Sequence, residues 1–244
     1  MRRAAAFACL ALAAALAAGC QSTHETSKIR EANGSKLFNK AKGLKITNVN
    51  QDIKVLDTAV LSDANGTAVA VTVKNESKEG FAKLPILIDV RDAKGKSVFK
   101  NDIPGLEPSL TSIPTIGAGQ TVTWVNDQIL GTGKAKSVKV KIGEAQAPLP
   151  QKLPAVKIDP PKLVNDSVSG TEATGEVENE TGIDQKKLVL FAVGVKDGKI
   201  VAAGRGGFKR LNADRPKPAV YHIYFIGDPK GSKVTVTAPP STLN

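Results

Sequence analysis

The chain has 244 residues, with 34 Lys plus Arg against 23 Asp plus Glu and a formal net charge of +11. It carries one Trp, two Tyr, seven Phe and two cysteines, Cys9 and Cys20. The positive charge is spread along the chain and there are few rings to stack on bases, which argues against a nucleic-acid-binding protein; so few thiols rule out a disulfide-held scaffold.

Met1-Arg2-Arg3 is a short basic start, followed by an uncharged apolar run from Ala4 to Ala18 and then Gly19-Cys20. A run of that length is short for a membrane span and has the layout of a signal peptide. Its last residues, Leu16-Ala17-Ala18-Gly19-Cys20, resemble the lipobox of bacterial lipoprotein precursors. One position departs from that pattern: the family prefers Leu three residues before the cysteine, where this chain has Ala17. The resemblance covers residues 1–20. It implies a diacylglycerol on the Cys20 thiol, cleavage between Gly19 and Cys20, and a cell-membrane location facing the extracytoplasmic side. Cys9 would leave with the signal peptide, so no internal disulfide is available to the mature chain. One acyl chain binds a bilayer marginally, whereas two or more hold a protein stably. Without residues 1–19 the balance is 32 cations against 23 anions, a net +9.

Residues 20–43 follow as a lipidated cysteine and flexible tether, rich in Ser, Thr, Asn and Lys. Lys28, Arg30, Lys36, Lys40 and Lys42 in it suit either acidic headgroups or simple solvation, and Ser35–Lys42 has the makings of a helical turn. From Ile46 the hydrophobic period is two. Val69, Val71 and Val73 alternate with Ala70, Thr72 and Lys74; Leu84, Ile86, Ile88 and Val90 alternate with Pro85, Leu87, Asp89 and Arg91; and Val122, Trp124, Val138, Val140 and Ile142 continue the habit. Such alternation predicts half-buried strands, and Asn65-Gly66 and Asp92–Gly95 provide hairpin turns. Residues 44–146 form a first β-sandwich on this reading, 147–153 a Pro-rich linker and 154–244 a second β-sandwich.

The second half repeats the first. Val60, Asn65-Gly66-Thr67 and Val73-Lys74-Asn75-Glu76-Ser77 align with Val164, Ser169-Gly170-Thr171 and Val177-Glu178-Asn179-Glu180-Thr181 at a spacing of 104. Ile86, Ile88, Val90 and Gly95-Lys96 align with Val189, Phe191, Val193 and Gly198-Lys199 at 103. Val122 aligns with Val220, and Val138 and Val140 with Val234 and Val236. A repeat of this size is a duplicated domain rather than a solenoid unit. The expected fold is therefore all-β, two tandem antiparallel immunoglobulin-like β-sandwiches. The order of strand, Asn-Glu-Ser/Thr, strand and Gly-Lys turn resembles the small FxLYD domains of bacterial envelope proteins. Asn75 and Asn179 mark turns after a strand, where side-chain hydrogen bonding to the backbone is favoured.

Catalytic chemistry does not emerge. The two histidines are His24 in the tether and His222 in a predicted strand, and no Gly-x-Ser-x-Gly elbow is present. Glu176, Glu178 and Glu180 share a strand face, a row read as solvated and balanced by neighbouring lysines rather than as a cation site. No catalytic residue, metal site or cofactor is assigned. The densest positive stretch is Gly204–Arg210 with Arg215 and Lys217 beyond it. Arg205, Lys209, Arg210, Arg215 and Lys217 form a candidate anion-binding patch, with Gly206 and Gly207 admitting a ligand close to the backbone. The expected activity is non-enzymatic binding or scaffolding in the cell envelope, with the membrane, an envelope protein or an anionic wall polymer as partner and no nucleic acid. An envelope hydrolase or transferase using carboxylates, and a purely structural spacer, are the alternatives.

Overall fold

A computed structural model describes residues 43–129, 134–145, 147–149, 155–166, 170–214 and 217–243; the expected signal peptide, Cys20 and all of the expected tether but Gly43 lie outside these. Gly43–Asn244 is one compact unit. Its described residues form sixteen strands in antiparallel sheets, with one short 3-10 helix at Pro108–Leu110.

In the first repeat, β1 (Ile53–Asp63), β2 (Gly66–Asn75) and β6 (Thr121–Asn126) form a sheet in the order β1-β2-β6. A second sheet gathers around β3 (Gly80–Arg91), which pairs with β4 (Ser97–Lys100), β5 (Ser112–Ile116), β7 (Ser137–Ile142) and β8 (Ala147–Leu149). Ala147–Leu149, assigned to the linker from sequence, is thus a strand laid on Gly80–Ala82. The second repeat has the same plan. In it β9 (Val156–Ile158) and β10 (Lys162–Asp166) pair with β11 (Gly170–Asn179), which also pairs with β14 (Ala219–Tyr224). The partner sheet runs β15 (Ile226–Gly227), β13 (Lys199–Leu211), β12 (Gln185–Lys196), β16 (Lys233–Thr237).

Strand register corrects part of the alignment. Ala82 and Leu84 pair with Thr115 and Ile113, skipping Lys83; Lys186 and Leu188 pair with Arg210 and Phe208, skipping Lys187. Both lysines have left-handed backbone, with φ of 49° at Lys83 and 52° at Lys187, and the register runs on unchanged across each. The spacing of 104 therefore continues through the strand, and Leu84, Ile86 and Ile88 correspond to Leu188, Leu190 and Ala192 rather than to the row at 103. Val122 likewise corresponds to the buried Ala219 and Trp124 to Tyr221, because Val71 and Val73 pair with Trp124 and Val122 as Gly175 and Val177 pair with Tyr221 and Ala219. Val220 is exposed. Fusion of the β4 and β5 positions into the single strand β13 accounts for the shorter second copy.

This register leaves Val189, Phe191 and Val193 on the opposite face of β12. There, with Ala203 and Ile226, they join the hydrophobic cluster of the first repeat, while Leu188, Leu190, Ala192 and Ala202 pack with Val177, Tyr221 and Ile223 of the second. The β12–β13 sheet is thus buried on both sides, which explains the unbroken apolar run Leu188–Val193. Strands buried on both faces lose the alternation of half-buried ones. Across from it, Ala68 and Ala70 are fully buried between the core residues Val69 and Val71, and their small side chains let the two sheets approach. The repeats consequently share a continuous interior: four stacked sheets, not two separate bodies on a linker.

One polar element recurs in both copies. Asn75 Nδ2 donates to Glu79 O and Gly117 O at 2.6 and 2.9 Å, and its Oδ1 accepts from the Ser77 N–H and hydroxyl. Asn179 Nδ2 donates to Ile183 O and Leu211 O at 2.8 and 2.9 Å, and its Oδ1 accepts from the Thr181 N–H and hydroxyl. Each asparagine ties the turn after its strand to the neighbouring chain, so the Asn-x-Ser/Thr triplets serve turn structure.

Candidate functional site at the junction of the repeats

The period of two along β13 divides the expected basic patch. Arg205 and Lys209 lie on one face and Arg210 on the other, so they do not form a common cradle. Arg205 points into the junction, with its side chain only 8% exposed. Its Nη2 meets Glu107 Oε2 at 3.1 Å, its Nε meets Asp127 Oδ1 at 3.5 Å and its Nη1 donates to Ser109 Oγ. The Arg205 backbone N–H adds a bond to Asp127 Oδ2 at 3.1 Å. Ser109, in the 3-10 helix, also accepts from Trp124 Nε1 through its carbonyl at 2.8 Å. One guanidinium of the second repeat thereby links two carboxylates and a hydroxyl of the first.

Burial pushes the Asp127 carboxyl above its ordinary range, and the Arg205 charge and hydrogen bonds oppose that push. Arg210 is tied to Asp184, whose other oxygen accepts the Ala213 N–H. Those contacts, the backbone N–H of Ala213 foremost, hold the Asp184 carboxyl below the usual range. Lys217 borders a separate hollow with Glu178 and Glu180, and Arg215 lies outside the described residues. The glycines serve the fold. A β-carbon on Gly207 would stand 2.4 Å from Leu188 O, and one on Gly204 2.2 Å from Tyr224 O. Close approach of neighbouring strands requires their bare backbones.

Two hollows flank this network. One, of about 330 Å³, is lined by Glu107, Asp127, Arg205, Lys187 and Lys209 among others. The other, of about 200 Å³, is lined by Lys83, Lys186 and Lys187 with Ser109, Ser112 and Ser241, and by Glu107 and two prolines. Glu107 and Lys187 border both. Lys83, Lys186 and Lys187 were missed from sequence, although the repeat at 104 places a lysine before a buried leucine in each copy.

Elsewhere, His222 is an exposed residue of β14 with Nδ1 3.3 Å from the Glu172 carboxylate. Glu178 pairs with Lys157 on the adjacent β9 at 3.0 Å, which matches the solvated-face reading of the glutamate row. Among the described residues no cluster of three His, Cys, Asp or Glu side chains is placed to hold a metal ion. Among them, too, no helix is long and apolar enough to cross a membrane, which leaves strand-built spans unaddressed. The sequence matches no protein-family model and no curated protein.

Proposed function

We propose that this protein is a non-enzymatic binding or scaffolding module, held at the outer side of a bacterial membrane by acyl chains on Cys20. The observation that supports the binding reading most is the junction network. Glu107 and Asp127 border one hollow, the arrangement a carboxylate-based hydrolase would need, yet both are engaged by Arg205, and Asp127 uses both oxygens. A carboxylate clamped in this way is a poor general base, whereas a one-piece stack of sheets is well suited to holding a surface in fixed shape.

The test is membrane fractionation of cells producing the chain, combined with crosslinking in intact cells. The wild-type protein is expected in the membrane fraction with a retained partner, and Cys20→Ser in the soluble fraction. Equal sedimentation of Cys20→Ser with membranes would refute the anchor, and turnover of an envelope substrate that is lost in Asp127→Asn would refute the non-enzymatic reading.

A further inference from the structure

We infer that the smaller hollow at the junction is a binding site for a sugar phosphate. Lys83, Lys186 and Lys187 all line it. Its single acidic residue, Glu107, is already paired with Arg205 Nη2 at 3.1 Å. Among the described residues, none of the three lysines forms an ion pair within 4.0 Å. Positive charge gathered in one concave place attracts an anion more strongly than the same charge spread over an open face.

The backbone supplies an independent argument. Left-handed backbone positions ordinarily hold glycine, because a β-carbon there is strained. This chain puts lysine at that position in both copies, and both lysines border the same hollow. Strained backbone that persists in a fold clusters at binding sites.

The hydroxyls narrow the ligand class. Ser112 Oγ donates to Pro108 O at 2.8 Å, and Ser241 Oγ donates to Lys186 O at 2.8 Å. Ser109 Oγ accepts from Arg205. Ser112 and Ser241 line the hollow with their protons committed, which leaves their oxygens as acceptors suited to a ligand that brings hydroxyl donors. Ammonium groups for a phosphate, acceptor oxygens for sugar hydroxyls and proline rings for an apolar sugar face together describe a phosphorylated sugar. This inference rests on the binding reading but not on the Cys20 anchor, so either can fail alone.

The test is calorimetric titration of the full-length protein in detergent with glucose 6-phosphate, inorganic phosphate and glucose. Glucose 6-phosphate is expected to bind saturably, more tightly than phosphate or glucose, and to weaken as salt is raised. Lys83→Gly/Lys187→Gly is expected to lose about tenfold or more in affinity while its melting temperature rises, since glycine relieves the left-handed backbone at both positions. Lys186→Gln, which leaves both left-handed positions alone, is expected to weaken binding without that rise. Displacement of glucose 6-phosphate by vesicles carrying a phosphorylated glycolipid would assign a lipid-borne sugar as the source, and its absence a free one. No saturable binding by the wild type, undiminished binding by the glycine variant, or phosphate bound as tightly as glucose 6-phosphate would overturn the assignment.

Discussion

Phe191→Ala separates one shared interior from two independent sandwiches. Phe191 belongs to the second repeat and is 1% exposed, yet it is part of the first repeat's hydrophobic cluster. Truncating a buried Phe typically costs about 3–5 kcal/mol, through lost transfer energy and the cavity left behind. With an m-value of roughly 2.5 kcal/mol per molar urea for a unit of this size, 4 kcal/mol moves the midpoint down by about 1.6 M. The sole tryptophan, Trp124, is fully buried in β6 of the first repeat and reports that half by fluorescence. Urea unfolding of Phe191→Ala should therefore shift the Trp124 transition by this amount, coincident with the loss of β-sheet circular dichroism. Leu190→Ala, on the face toward the second repeat's own core, should shift the same transition similarly. A Trp124 midpoint that stays at the wild-type value in Phe191→Ala would show that the first repeat folds without the second.

Two further outcomes follow from the polar contacts. Asn75 is fully buried and its replacement by Ala strands two carbonyls and an N–H, so thermal unfolding of Asn75→Ala should show a loss of about 2–4 kcal/mol, with a smaller loss for the half-buried Asn179→Ala. Arg205→Met removes the cation that opposes the burial of Asp127, and breaking such a pair from one side costs about 3–5 kcal/mol. The Asp127 folded pKa, already raised, should rise further. An acid whose folded pKa exceeds its unfolded one binds its proton better when folded, so stability is greatest below the unfolded value and falls as pH climbs through the folded one. Denaturation across pH should accordingly show the Arg205→Met deficit shrinking on acidification toward pH 4, and Asp127→Asn in the same chain should flatten that dependence.

The strands, the hairpins, the duplication and the turn role of both asparagines were legible because each is a local pattern. Alternation at Val69–Val73, the Gly turns and the two Asn-Glu-Ser/Thr segments need no knowledge of distant partners. The stacking of the repeats left one trace, the unbroken run Leu188–Val193. Matching that run to Ile86–Val90 at a spacing of 103 selected the wrong face, because a one-residue slip exchanges the two sides of a strand. The basic stretch misled for a related reason. Sequence proximity of Arg205, Lys209 and Arg210 says nothing of their opposite faces, or of Glu107, Asp127 and Asp184, which reach two of them from elsewhere in the chain. Lys83 and Lys187 escaped notice because a left-handed residue within a strand has no hydrophobic signature of its own.

The outer row of β3, Pro85, Leu87, Asp89 and Arg91, is mixed and partly solvated, whereas the equivalent row of β12 is Val189, Phe191 and Val193. Only the later copy therefore offers an adhesive back, and only to the earlier one. The pile is thus polarised, with an apolar row turned inward at the junction and a mixed, partly solvated row on the β3 flank.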